Sequence, residues 1–332
     1  MTPFLHLREG SSEQQRASHR PRAPQWQEDV MGDSTGRQGA RTGAPARPPV
    51  GLAHHHHSEY GVADLVAAKD GRRVSVCLAA RDEEPTIGRI VRTLRPLVDA
   101  GLVDDVVVLD HGSHDRTAAV AAAAGARVVP ADSVLPQFGP AVGKGDVLWR
   151  SLAATDSDIL VWLDADIVGL SCDVVRGLLG PLLADPATAL VRAVYTRRLG
   201  AGRREGGRVT ERTARPVLSL VHPRLAHLRQ PLGGEYAGRR DVLEAVPFEP
   251  DHGVEMGLLI DVAERFGVGC IAQVDVGDRV VRNRPLSSVS GQAREVLRAA
   301  LSRVDAPASA GLRGDLPLRP PMGDVREEML AG

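Results

Sequence analysis

The sequence predicts an α/β protein built on a doubly wound, mostly parallel sheet. Two observations carry this expectation. From Val74 onward, short apolar segments alternate with helix-length segments, the pattern of parallel strands joined by crossover helices. Within that pattern Ile159–Asp166 reads Ile-Leu-Val-Trp-Leu-Asp-Ala-Asp, five apolar residues running without interruption into two aspartates. Such a run, with β-branched and aromatic members, predicts a buried central strand. Asp164 and Asp166 then fall at its carboxyl end, the edge where open α/β sheets bind ligands.

The elements follow in order. Residues 1–70 are rich in Arg, Gly, Pro, Gln and Ser with little apolar periodicity, which predicts a disordered N-terminal extension. Its run His54–His57 is taken as incidental. Val74–Ala79 predicts the first strand and Arg81-Asp82-Glu83-Glu84 a turn. Thr86 opens a helix with Ile87, Ile90, Val91, Leu94, Leu97 and Val98 on one face. Pro96 kinks its last turn and Gly101 stops it. Val106–Leu109 is a second strand, ending in Asp110-His111-Gly112-Ser113. An Ala-rich helix runs to Ala124, and Arg127-Val128-Val129 makes a third strand. Pro130–Gly145 is a long loop before a helix over Asp146–Ala154. After the aspartates, Asp173 caps a helix and Ala189–Tyr195 forms a strand. Arg197–Gly207 is basic and Gly-rich, which predicts a mobile loop. An apolar helix follows Thr210-Glu211, Gly233-Gly234-Glu235-Tyr236 is a turn, and Glu255 opens another helix. Cys270–Val276 is a strand, Val289–Leu301 a helix, and the tail from Asp305 irregular.

Composition excludes several classes. Forty-one Lys and Arg offset 42 Asp and Glu, so bulk nucleic-acid binding is not expected. Aromatics are 3% of the chain, too few for a base-stacking platform. Cys77, Cys172 and Cys270 lack zinc spacing and read as reduced, buried thiols of a cytoplasmic protein. No apolar run approaches the ~20 residues of a membrane span, and no secretory h-region opens the chain.

Four stretches carry chemistry. Two carboxylates as close as Asp164 and Asp166 repel each other unless a cation joins them. Hard oxygen ligands suit Mg²⁺ or Mn²⁺, which fill their shell with water and phosphate oxygens. The plainer alternative is two solvated aspartates after a strand. Gly143-Lys144-Gly145 places a lysine between two glycines before a helix, fit to neutralise phosphate; a surface lysine in a Gly turn is equally consistent. The Walker spacing is absent. Gly207-Arg208-Val209-Thr210-Glu211 joins an arginine to a helix start, an anion site or a helix simply capped by Thr210. Arg279, Arg282 and Arg284 surround Asn283, either as solvated surface or as a seat for an acidic acceptor.

A strand leading through Asp82-Glu83-Glu84 into a helix, the Asp-x-Gly-Ser-x-Asp-x-Thr run of Asp110–Thr117, and a strand ending in Asp164-Ala165-Asp166 together resemble the nucleotide-diphospho-sugar transferases of the GT-A fold. A closer likeness covers about residues 72–305. Val74–Ile87, Gly143-Lys144-Gly145 with Leu148–Thr155, Gly206–Glu211, Gln230-Pro231-Leu232 with Gly234-Glu235-Tyr236-Ala237, Gly253-Val254-Glu255 with Gly257–Asp261, and Arg282-Asn283-Arg284-Pro285-Leu286 resemble the glucosyl-3-phosphoglycerate synthase family. The resemblance implies a retaining, Mg²⁺- or Mn²⁺-dependent transfer of glucose, with UDP-glucose as donor and the 2-hydroxyl of 3-phosphoglycerate as acceptor. It implies a cytoplasmic homodimer. It divides the chain into a nucleotide-sugar-binding half (71–196), an acceptor-binding half (197–305) and an irregular tail (306–332).

The resemblance also implies roles. Ala79, Ala80, Arg81, Glu83 and Asp110 would hold the nucleotide, with Asp164 and Ala165 against it. Asp166 would bind the metal, Lys144 meet the diphosphate and Glu255 hold the glucose hydroxyls. Gly207, Arg208 and Thr210 would hold the acceptor, joined by Arg279 and Asn283. The chain departs from the family at Val281, where a metal-binding histidine is usual. It departs again at His111 for serine, at His252 for tyrosine, and at Ala79-Ala80-Arg81-Asp82-Glu83 for Pro-Ala-Leu-Asn-Glu. Two alternatives stay open: a GT-A transferase with another donor, such as a mannosyl one, or another acceptor; and a non-catalytic nucleotide-sugar or phosphoglycerate binder.

Overall fold

The structure is a computed structural model that describes residues 52–199, 202–205, 207–280, 290–304 and 317–331. Among them the chain forms one nine-stranded sheet. Its strands are β1 (Ala53–His56), β2 (Val74–Ala80), β3 (Asp105–Asp110), β4 (Arg127–Pro130), β5 (Ile159–Asp164), β6 (Leu190–Leu199), β7 (Gly202–Glu205), β8 (Tyr236–Arg239) and β9 (Ile271–Val280). They lie in the order β1-β9-β6-β8-β5-β2-β3-β4, with β7 paired to β6. All neighbours along that order are parallel except β8, which is antiparallel to both β5 and β6. The doubly wound, mostly parallel expectation is met.

The helices are α1 (Val62–Lys69), α2 (Glu84–Asp99), α3 (Thr117–Ala123), α4 (Lys144–Ala154), α5 (Cys172–Ala184), α6 (Arg215–Val221), α7 (Arg240–Glu244), α8 (Val254–Phe266), α9 (Ser290–Leu301) and α10 (Met322–Ala331). Strand alternation sends residues of β2 and β5 to opposite faces. Val74, Val76, Leu78, Ile159, Val161 and Leu163 pack in one core with apolar residues of α1, α2 and α5. On the other face Trp162 is buried beside α4 and donates its indole N–H to Ser151 Oγ at 2.9 Å. Each fully buried Val, Leu or Ile contributes roughly 1.5–3 kcal/mol, so β5, buried along all but its last residue, is the centre of the fold.

Four local expectations are corrected. Residues 53–69 of the expected disordered extension form regular structure: β1 pairs with the sheet edge at β9, and α1 follows. An edge strand needs backbone partners more than apolar side chains, which is why a His-rich tetrad forms one. Helix α5 is capped by Ser171, whose side chain accepts from the Asp173 N–H, rather than by Asp173. Part of the loop expected over Arg197–Gly207 is a hairpin, because β6 continues to Leu199 and pairs with β7. The tail is not wholly irregular: Arg319 bridges Phe248 and α10 follows. Residues 1–51 and 305–316 lie outside the described residues.

Candidate active site

Register brings three strand ends to one edge. Ala80 pairs with Asp110 across β2 and β3, and Ala79 pairs with Asp164 across β2 and β5. Ala80 is buried and Ala79 half-buried, while Arg81 is exposed on the turn beyond. Glu83, at the start of α2, is fixed by its backbone N–H to Thr117 Oγ1 at 2.8 Å. Thr86 of the same helix donates to the Ala165 carbonyl at 2.8 Å, tying the Asp-Ala-Asp turn to α2. Asp166 lies half-buried two residues past β5.

Lys144 opens α4 between its two glycines. A Cβ on Gly145 would collide with the Glu249 carbonyl, and one on Gly143 would press on the Pro250 carbonyl. Only glycine admits that approach, and the Asp146 N–H then donates to Pro250 O at 2.9 Å. The Lys144 ammonium is thereby aimed at the strand edge. Its Nζ lies 2.7 Å from Asp164 Oδ1 and 2.6 Å from Glu255 Oε1. Burial pulls its pKa down, but the two carboxylates outweigh that and hold it well above lysine's ordinary range. Asp164 is thus neutralised by a lysine within the chain. Glu255 is buried in the first turn of α8, where the helix dipole favours a carboxylate. Gly234 faces the Asp164 carboxylate so closely that any Cβ there would overlap it.

On the other flank Tyr195 lies between two arginines. The Arg279 guanidinium sits 4.8 Å and that of Arg197 5.5 Å from its ring centroid. Arg279 is ion-paired with the buried Glu235. Burial pushes the Glu235 carboxyl up, while Arg279 opposes it. Gly207 abuts Arg197, and a Cβ there would lie 3.3 Å from its guanidinium. Helical backbone already begins at Arg208, so Thr210 lies buried inside a π-turn (Thr210–Ala214) leading to α6 and is not a cap. π-Turns gather at functional sites. Asn283, with Val281, Arg282 and Arg284, lies outside the described residues.

Sequence reasoning missed Arg192, which is fully buried on β6. It donates to the carbonyls of Pro231 and Gly233 at 2.8 and 2.6 Å and lies 4.3 Å from the Tyr236 ring centroid. It therefore holds the turn that presents Gly234 and Glu235. Its one sequence signal is a lone arginine inside the apolar run Ala189–Tyr195.

Among the described residues, several buried polar atoms on this side of the sheet find no partner there: Asp110 Oδ1, Arg192 Nη1, Gln230 Oε1, Glu235 Oε2, Tyr236 Oη and Arg279 Nε. Native interiors leave few such atoms unpaired, and water or a bound ligand can supply the partners these atoms lack. Asp166 offers a hard divalent cation one oxygen ligand at this edge. Among the described residues no group of three or more His, Cys, Asp or Glu could hold a metal. An ion here would rest on Asp166 and complete its shell with water and diphosphate oxygens, as Mg²⁺ and Mn²⁺ do.

A doubly wound sheet with aspartates, a lysine and an arginine cluster on one edge defines a nucleotide-sugar transferase of the GT-A class. A model of glycosyl transferase family 2 matches residues 75–246. Glucosyl-3-phosphoglycerate synthase of Mycolicibacterium smegmatis is 50% identical over 246 residues, 73% of this chain and 81% of that protein. The crystal structure of the Mycobacterium tuberculosis enzyme with Mn²⁺, UDP-glucose and phosphoglyceric acid aligns with a TM-score of 0.76 and 44% identity, over 85% of this chain and 100% of that one. Mannosyl-3-phosphoglycerate synthase of Rubrobacter xylanophilus aligns with a TM-score of 0.76 at 33% identity, over 82% and 97% of the two chains. The chain belongs to the glucosyl-3-phosphoglycerate synthase family, within glycosyl transferase family 2.

Proposed function

We propose that this protein transfers glucose from UDP-glucose to the 2-hydroxyl of 3-phosphoglycerate with retention of configuration, giving glucosyl-3-phosphoglycerate. The observation that carries this reading is Lys144 held between Asp164 and Glu255 at the strand edge. In the proposed mechanism the bond from the sugar C1 to the diphosphate oxygen breaks, and UDP leaves with its electron pair. The acceptor hydroxyl attacks C1 from the same face, and its proton passes to the departing phosphate oxygen. Lys144 neutralises charge growing on that oxygen, where preformed electrostatics act most strongly. Asp166 would hold Mg²⁺ or Mn²⁺, which supplies positive charge to the diphosphate. Glu255 orients the glucose hydroxyls, so no carboxylate nucleophile is required. Ala79, Ala80, Arg81, Glu83, Asp110, Asp164 and Ala165 frame the nucleotide. Gly207, Arg208, Thr210, Arg279 and Asn283 seat the acceptor, whose roughly three negative charges suit this basic flank. The same reading makes the chain a cytoplasmic homodimer. No helix among the described residues is long and apolar enough to cross a membrane.

The test is transfer from UDP-glucose to 3-phosphoglycerate with and without Mg²⁺ or Mn²⁺. Metal-dependent product is expected, and Asp166→Ala abolishes nearly all of it; retained turnover in that variant sinks the assigned role. The likeness to a mannosyl enzyme favours one competing donor, so GDP-mannose is assayed in parallel. Binding of 3-phosphoglycerate without turnover on any donor would instead mark a non-catalytic binder.

A further inference from the structure

We propose that residues 317–331 form a strap that positions Lys144, with Arg319 as the positioning residue. The proposal rests on the transferase reading above, and nothing in that reading assigns the tail a role. Asp146, two residues after Lys144, is fully buried. Its Oδ2 accepts the backbone N–H of Val142, two residues before Lys144, at 3.0 Å. One carboxylate therefore spans the Gly143-Lys144-Gly145 turn. Arg319 fixes that carboxylate in a two-point grip, Nε to Oδ1 and Nη2 to Oδ2, each at 2.9 Å. The only other cation bonded to Asp146 among the described residues is Arg150, at a longer 3.3 Å. Arg150 also serves the carbonyls of Ala131, Val134 and Gly139.

The strap touches the other wall of the turn as well. Arg319 and Phe248 exchange backbone hydrogen bonds at 3.0 and 3.1 Å. That pairing places the strap beside Glu249 and Pro250, whose carbonyls the two glycines approach. Trp149 of α4 donates to Pro320 O at 2.9 Å, and Arg326 to Leu152 O at 2.9 Å. The helix that carries Lys144 is thus gripped at its start, middle and end by one segment. A two-point guanidinium–carboxylate pair fixes orientation as well as charge, and a misplaced catalytic group loses rate steeply.

The experiment is a double-mutant cycle in the full chain, read as kcat and KM. Arg319→Ala is expected to lower kcat about 30-fold while KM for 3-phosphoglycerate stays within about twofold. Arg319→Lys, which keeps the charge and loses the second contact, recovers part of the rate. In a Lys144→Ala background, Arg319→Ala then costs less than about twofold, because its effect passes through the missing ammonium. Equal fold-losses in the two backgrounds, or an unchanged kcat in Arg319→Ala, overturn the proposal. Should Arg319→Ala not fold, Arg319→Lys and Arg319→Gln run the same cycle. If the wild-type chain makes no product, the transferase reading has failed by itself. The cycle is then read as the Kd of UDP with Mn²⁺, where about tenfold weakening confined to the Lys144 background supports the strap and independence refutes it.

Discussion

Lys144 owes its position to its neighbours and its charge to its partners. Its raised pKa has a definite sign for stability. A base whose folded value is raised contributes fully below its ordinary value of 10.5 and loses that contribution as pH climbs through the higher folded value. The stability difference between wild type and Lys144→Ala is therefore expected to stay flat between about pH 6 and 9, checked by urea titration. Turnover by Lys144→Ala should fall about 10²–10³-fold, measured at saturating donor. At this scale the sequence was informative where residue type and spacing coincide. A lysine between glycines, and aspartates closing an apolar run, state their chemistry locally. Glu255 as the second partner of Lys144 did not show, because 111 residues separate the two. Arg192 did not show because a single buried cation looks like any arginine until its carbonyl partners are in place.

Among the elements, β1 with the turn after it was the least legible. Its tetrad is polar, and its pairing is carried by the β9 backbone. The ordering shows in Gly177 and Gly180 of α5, which leave room for His57 and for the Tyr60 ring. Tyr60 also hydrogen-bonds His55 Nδ1 at 2.9 Å. Tyr60→Ala should lower unfolding free energy by about 2 kcal/mol, less than for a fully buried aromatic because Tyr60 is half-exposed. Equilibrium denaturation checks it, and no loss would show that β1 adds nothing to the fold. The α5 cap went to Ser171 over Asp173 for a geometric reason. The residue in extended backbone just ahead of the helix caps it, and Asp173 already lies inside.

The whole molecule gives a probe of its own integrity. Burial pushes the Cys77 and Cys270 thiols up to about 12, while Cys172 is half-buried and raised less far. A thiol reagent near neutral pH should modify Cys172 first. Cys77 and Cys270 should react only along the global urea transition, read by mass spectrometry; early labelling of Cys77 would show the sheet centre opening locally. The overall architecture was legible because strand–helix alternation restricts topology so strongly. The exception is β8, four residues long and reversed. That reversal divides the sheet into two parallel blocks, β5-β2-β3-β4 and β6-β9-β1. Among the described residues, in-plane hydrogen bonding between the blocks runs through Tyr236–Arg239 and its two flanking residues, Glu235 and Arg240. In mechanical terms β8 is a seam. Force or motion carried within the sheet from the Asp164 side to the Arg279 side crosses this narrow strip, directly behind the Gly234–Glu235 turn.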